Sequence, residues 1–152
     1  ILMEGTDADI PVRFAKCCSP VPGDDIVGYI TRGQGVSIHR ADCENYEKSK
    51  KLSEDAGRWI NVSWADKINE NYTTTITVVA KDRSGLVMDI ATALNSLNSK
   101  VRTLNARDLP DGRAIITITL EVRSLGELRI ITNKLSGIGG VIEVNRNGDK
   151  KK

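Results

Sequence analysis

What this sequence lacks narrows it first. No apolar run approaches the roughly 20 residues needed to span a bilayer, and Ile1-Leu2-Met3 is too short for a signal peptide's apolar core, with Glu4, Asp7 and Asp9 following at once. A membrane partner is therefore not expected. Cysteine occurs three times and histidine once. An odd number of cysteines does not make a disulfide framework, and adjacent Cys17 and Cys18 would close a strained ring if they paired. A reducing, cytoplasmic setting is the expectation. There is no phosphate-cradling glycine loop and no evident pair of carboxylates in a cleft, so the chain by itself is expected not to be an enzyme. Charge of one sign is also missing. Twenty-two Lys and Arg face 20 Asp and Glu, a net charge of +2, so bulk electrostatics do not mark a nucleic-acid binder, although a local basic patch stays open.

What is present suits a folded chain of one ordinary domain or two small ones. The 152 residues are 39% hydrophobic and 28% charged, the first a little below the globular average of roughly 45–50% and the second ordinary. The chain starts without methionine and reads as a piece of a longer protein.

Two modules are expected, at residues 1–65 and 72–147, with a polar linker over 66–71 and a disordered tail over 148–152. In the first, Pro20, Pro22, Gly23, Gly28, Gly33 and Gly35 cut the chain short. Ile26–Thr31 and Val36–His39 read as strands joined by an Arg32-Gly33-Gln34-Gly35 turn. The polar run Cys43–Lys51 suits a short helix with Asp42 as its N-cap, and Arg58–Trp64 alternates as a third strand. Such a segment has a small core and needs a staple or a neighbour.

The second module is more regular. A β-branched run Thr73–Ala80 puts Ile76, Val78 and Ala80 on one face; Leu86, Ile90, Ala93 or Leu94, and Leu97 then recur at helical spacing over 86–98. Val101–Arg107 is a strand, Leu109-Pro110-Asp111-Gly112 a turn, and Ala114–Val122 a strand with Ile116, Ile118, Leu120 and Val122 inward. Ser124-Leu125-Gly126-Glu127 is a capping box, Leu128, Ile131 and Leu135 form a buried stripe, Ser136-Gly137 stops the helix, and Val141–Asn145 closes the pattern. The order is β-α-β-β-α-β, an α+β ferredoxin-like fold of four antiparallel strands with two helices on one face.

The string Val12–Asp24, with Gly28-Tyr29-Ile30, Gly33-Gln34-Gly35-Val36 and His39-Arg40-Ala41-Asp42-Cys43, resembles the zinc-finger-like, ribosome-intersubunit module of RelA/SpoT homologues. In that family an ACT domain follows directly, and the ACT fold is the β-α-β-β-α-β order. The resemblance covers nearly the whole chain. It implies the C-terminal regulatory region of a (p)ppGpp synthetase/hydrolase, a GTP pyrophosphokinase of the stringent response, with catalytic domains in the parent chain outside these residues. It also implies docking on ribosomal RNA, with Arg13, Lys16, Arg32 and Arg40 as candidate phosphate contacts and Trp59 or Trp64 as stacking faces. Interleaved Asp24, Asp25, Asp42 and Glu44 oppose that reading, and tryptophans in a small domain usually belong to the core.

Cys17, Cys18, His39 and Cys43 form one set of soft ligands suited to Zn²⁺. His39 and Cys43 have metal-ligand spacing. Adjacent cysteines do not, because in an extended segment their side chains point apart, and only a tight turn such as Ser19-Pro20 can converge them. Bound zinc and a metal-free buried cysteine both stay open. In ACT domains that sense amino acids the ligand sits by the first strand-to-helix loop, here Lys81-Asp82-Arg83-Ser84-Gly85-Leu86. Gly85 permits close approach, the helix N-terminus attracts a carboxylate, and Asp82 can hold an ammonium group of a branched-chain amino acid. Simple capping by Asp82 or Ser84 is the alternative. Strand edges and the polar face with Thr73, Thr75 and Thr77 offer a route to an ACT homodimer. Two other classes stand beside the regulatory reading: an amino-acid-binding ACT module of a metabolic enzyme, and a structural dimerisation domain.

Overall fold

The computed structural model describes residues 2–3, 11–31, 35–49, 56–64 and 71–147. They fall in two compact units, the first ending before Asn71 and the second being Asn71–Asn147. The expected turn residues 32–34, linker residues 66–70 and tail 148–152 lie outside the described residues.

Among the described residues the first unit is a five-stranded sheet that runs, edge to edge, Leu2–Met3, Trp59–Ser63, Ile26–Thr31, Gly35–Arg40 and Val12–Phe14. The hairpin strands β3 (Ile26–Thr31) and β4 (Gly35–Arg40) pair antiparallel, with Gly28 opposite Ile38 and Thr31 opposite Gly35. β5 (Trp59–Ser63) pairs antiparallel with β3. Two strands were not expected: β1 (Leu2–Met3) on β5 and β2 (Val12–Phe14), which runs parallel to β4. Two or three residues are too few to show a period.

The sheet has two unlike faces. Ile26, Val36 and Ile38 are its buried cluster, joined by Val12, Ile60, Val62 and Trp64. Gly28 belongs to this face: a Cβ there would lie 2.8 Å from Val36 Cγ1 and 3.0 Å from Val62 Cγ1, so the missing side chain is what lets the neighbouring strands close. Tyr29, Ser37, His39 and Trp59 hold the alternate positions, since Tyr29 is in register with both Ser37 and Trp59. Helix α1 (Glu44–Ser49) starts one residue later than expected, and expected helix residues 50–51 lie outside the described residues. Asp42 stands outside it, its carboxylate 3.3 Å from Arg40 Nε, while Cys43 O accepts from Glu47 N–H.

The second unit follows the expected order. Its strands β6 (Tyr72–Lys81), β7 (Lys100–Asp108), β8 (Arg113–Val122) and β9 (Val141–Arg146) form an antiparallel sheet in the order β7-β8-β6-β9. Ile76, Val78, Ile116, Ile118, Leu120 and Val122 are fully buried, beneath α2 (Leu86–Ser96) and α3 (Leu125–Ser136), which bury Leu86, Ile90, Ala93 and Leu94, and Leu128, Ile131 and Leu135 respectively. Leu97, expected in the stripe, is the C-cap of α2. The turn before β8 is built as its residues dictate: Gly112 has φ 82° and Asp111 Oδ1 accepts from Arg113 N–H at 3.2 Å. The capping box is present with its return arm moved by one residue. Ser124 Oγ accepts from Glu127 N–H at 3.2 Å, and Glu127 Oε2 accepts from Arg123 N–H at 2.9 Å. Among the described residues no helix is long and apolar enough to cross a membrane.

Candidate metal centre

Three elements deliver four ligands to one point. Lys16, Cys17 and Cys18 form a turn in which Ser19 N–H donates to Ala15 O at 2.9 Å, and Ser19 takes φ 45°. This coiled turn, closed at Ser19, aims both adjacent thiols to one side. His39 comes from β4 and Cys43 from the residue before α1. Cys17 Sγ stands 3.8 Å from Cys18 Sγ, 3.6 Å from Cys43 Sγ and 3.4 Å from His39 Nδ1. Cys18 Sγ stands 3.8 Å from His39 Nδ1, and all four ligand atoms lie within 4.8 Å of one another.

These separations test whether zinc fits. Ligands at about 2.3 Å (sulfur) and 2.0–2.1 Å (nitrogen) on a tetrahedron stand roughly 3.8 Å apart for S···S and roughly 3.6 Å for S···N. Four of the six edges are of that length, at 3.4–3.8 Å, and the other two lie within 4.8 Å. Spacing along the chain argued against adjacent cysteines, and the turn removes that objection. The donor set, three thiols and an imidazole, is that of a closed structural site with no position left for substrate.

Burial favours the neutral forms of Cys17, Cys18 and His39 when no metal is bound. Burial pushes the Cys17 and Cys18 thiols above their ordinary value, against a lowering contribution from the Asn45 side chain on Cys17 and from Arg40 N–H on Cys18. Burial also lowers the His39 pKa. Arg40 N–H reaches Cys18 Sγ at 3.4 Å. Trp59 packs edge-on against His39 with centroids 5.4 Å apart, is flanked by Tyr29 and Tyr46 at 4.8 and 4.6 Å, and donates from Nε1 to Ser49 Oγ at 3.1 Å. Ser37, Asn45 and Trp59 were missed as neighbours of the centre, yet two had a signal: Ser37 is two residues from His39 on one strand, and Asn45 two residues beyond Cys43.

The basic candidates separate. Arg13 and Lys16 are exposed, whereas Arg32 lies outside the described residues. Arg40 is a correction: it is 1% exposed and sits against Asp42. The alternation that buries Val36 and Ile38 carries Arg40 to the same side, so its guanidinium does not face a phosphate. Trp64 stacks on Phe14 at 5.7 Å and donates to Asp24 O at 3.0 Å.

In the second unit the expected ligand loop is organised by Arg83. Its Nε donates to Gly139 O at 2.7 Å, Nη1 to Ser84 O at 3.0 Å and Nη2 to Asp89 Oδ2 at 2.6 Å. Gly85, with φ 79°, is the N-cap of α2, and no side chain caps that helix, so capping by Asp82 or Ser84 is not what shapes the loop. Lys81, Asp82, Arg83, Ser84 and Gly85 are exposed. Leu86 is 2% exposed and belongs to the core, a correction to its place among ligand-facing residues.

Residues 1–65 match the RelA/SpoT RIS domain family and residues 68–146 the ACT domain family. The class is therefore a RIS domain carrying a three-cysteine, one-histidine cluster, followed by an ACT domain of ferredoxin-like order. The GTP pyrophosphokinase of Escherichia coli (strain K12) is 36% identical over 149 residues, covering 96% of this chain and 19% of that protein. That of Myxococcus xanthus is 36% identical over 138 residues, 91% of this chain and 18% of that protein. The ACT domain from the GTP pyrophosphokinase of Chlorobium tepidum shares 22% identity, covers 51% of this chain and 99% of that one, and has a TM-score of 0.46. The chain belongs to the ACT domain family, carries a RelA/SpoT RIS domain ahead of it, and spans about a fifth of the length of the curated relatives it matches.

Proposed function

We propose that this chain is the regulatory C-terminal region of a (p)ppGpp synthetase/hydrolase, coupling starvation signals to catalytic domains elsewhere in the parent chain. The observation that carries the reading is the order of its modules, a RIS domain and then an ACT domain, within a stretch aligned over 96% of its length to a GTP pyrophosphokinase. The first module holds a structural zinc ion at Cys17, Cys18, His39 and Cys43. When bound, the ion supplies a cross-link among the turn, β4 and the start of α1, which a small core needs. Exposed Arg13 and Lys16 beside this centre contact ribosomal RNA backbone.

The second module takes an amino acid at Lys81–Gly85 and pairs with a second copy along β7, an edge strand exposed at every position but Leu104. The deciding experiment compares the parent protein with a version ending before residue 1. Loss of the stimulation of (p)ppGpp synthesis by ribosomes and uncharged tRNA supports the reading; undiminished stimulation rejects it. Binding of this chain to ribosomes is expected to weaken steeply with salt. For the second module, a calorimetric screen of the amino acids that stays flat removes the ligand.

A further inference from the structure

The His39 ring has two nitrogens with different neighbours. Nδ1 faces the sulfur atoms of Cys17 and Cys18 at 3.4 and 3.8 Å. Nε2 lies 3.5 Å from Ser37 Oγ, its one hydrogen-bond partner among the described residues. Ser37 and His39 are two apart on β4 and so share the outer face of the sheet. Trp59 closes that side: its ring meets the imidazole at 72°, held between Tyr29 and Tyr46 and tied to Ser49. The ring is thus boxed in with a hydroxyl at one nitrogen and three thiols at the other.

We propose that Ser37 is the positioning residue of the metal centre: its hydroxyl accepts from His39 Nε2–H, fixing the tautomer whose Nδ1 lone pair points at the three sulfurs. The inference rests on the zinc reading above and goes beyond the ligand set. An imidazole ligand binds metal through one nitrogen only when the other keeps its proton, and a hydrogen-bond acceptor on that second nitrogen sets both the tautomer and the ring plane. The 3.5 Å separation is long for a hydrogen bond. The serine hydroxyl turns about its Cβ–Oγ bond, so a lone pair can be aimed at a proton held at Nε2. Backbone Arg40 N–H on Cys18 Sγ and the Asn45 side chain on Cys17 play the matching part for two of the thiols, so Ser37 completes an outer layer around three of the four ligands.

His39 is the only histidine in the chain, so a long-range ¹H–¹⁵N spectrum of the zinc-loaded chain contains one imidazole. Nδ1 shifted by metal with Nε2 protonated is expected; metal on Nε2 with the proton on Nδ1 overturns the proposal without any variant. Zinc affinity, measured by competition with a chromogenic chelator, gives the second readout. Ser37→Ala is expected to raise Kd by about 10–100-fold, the cost of an outer-layer partner, and Ser37→Thr, which keeps the hydroxyl, to stay within a few-fold of the unaltered chain. Unchanged affinity in Ser37→Ala, with tight binding by the unaltered chain, rejects the positioning role alone. An unaltered chain that takes up far less than one zinc per molecule rejects the metal reading and this proposal with it.

Discussion

Cys17 Sγ and Cys43 Sγ lie 3.6 Å apart although the two residues are 26 apart in sequence. That is close to an edge of a zinc–sulfur tetrahedron, which is roughly 3.8 Å. One belongs to a turn and the other to the start of a helix, so a shared ion would tie two segments that contribute little apolar surface of their own. Cys43→Ser and Cys17→Ser are each expected to weaken zinc binding by more than the roughly 100-fold that an outer-layer loss costs. Each should also lower the unfolding temperature of the zinc-loaded first module. Chelator competition and a thermal scan with and without zinc measure both effects. A serine variant that binds like the unaltered chain removes that cysteine from the site.

The protonation of the cluster predicts how zinc uptake depends on pH. Burial holds Cys17 and Cys18 above the ordinary thiol value of 9.0, and it lowers His39 below 6.5. At pH 7 these groups are therefore two neutral thiols and a neutral imidazole. Zinc takes thiolates, so uptake expels about two protons from this pair, and the pair alone makes apparent affinity fall at least about 100-fold for each unit of acidification. Calorimetry in buffers of different ionisation enthalpy counts the protons; an observed heat that does not change with buffer refutes the assignment. The sign for the metal-free chain is separate. A thiol whose folded pKa is raised contributes stability that is complete below the unfolded value and is lost as pH climbs past it. Metal-free protein is expected to weaken above about pH 9, the ordinary thiol value.

The hairpin that carries His39 depends on one glycine. Gly35 has φ 88°, and a Cβ there would overlap the carbonyl oxygen of Pro11, which accepts from Val36 N–H at 2.9 Å. Gly35→Ala is expected to cost about 1–3 kcal/mol from backbone conformation alone, and more from the clash. The loss should appear in the first module's transition, together with weaker zinc binding, while the ACT transition stays where it was. Calorimetric unfolding of the variant tests this. A variant as stable as the unaltered chain means that β2 does not need Pro11 O at that distance.

Much of this was legible because the second module repeats its pattern over long elements. A ten-residue β-branched strand with Ile76, Val78 and Ala80 at every second position of β6, or a capping box ahead of Leu128, Ile131 and Leu135, leaves few alternatives. The first module hides more. β1 and β2 are too short to show a period, and the expected strand ends at His39, which leaves the burial of Arg40 outside its alternation. One further step of the same alternation places it inward beside Ile38. The metal centre was legible as a composition and hidden as a geometry. Nothing in Cys17-Cys18 announces that Ala15–Ser19 coils into a turn, because its closing residue, Ser19, takes a left-handed conformation that serine seldom adopts.

Arg83 gives the last prediction, since it joins two loops of the ACT domain. Its guanidinium binds Gly139 O and the Asp89 carboxylate, and Lys81 N–H donates to Gly140 O at 2.8 Å in the same corner. Half-exposed as it is, the ion pair with Asp89 is worth only about 0–1 kcal/mol, so Arg83→Ala should move overall stability little. Local order should change more. With its clamp removed, the segment before β9 is expected to open more often, and exchange of the Lys81 amide should quicken by several-fold while amides in the middle of β8 keep their protection. Hydrogen exchange followed by mass spectrometry or NMR reads this directly. Equal exchange at Lys81 in the two proteins shows that the backbone pairing of β6 and β9 holds that corner without Arg83. The same variant bears on amino-acid binding. If a carboxylate competes with Asp89 for this guanidinium, removing Arg83 abolishes the calorimetric signal of any amino acid that binds the unaltered chain, and a retained signal places the ligand elsewhere.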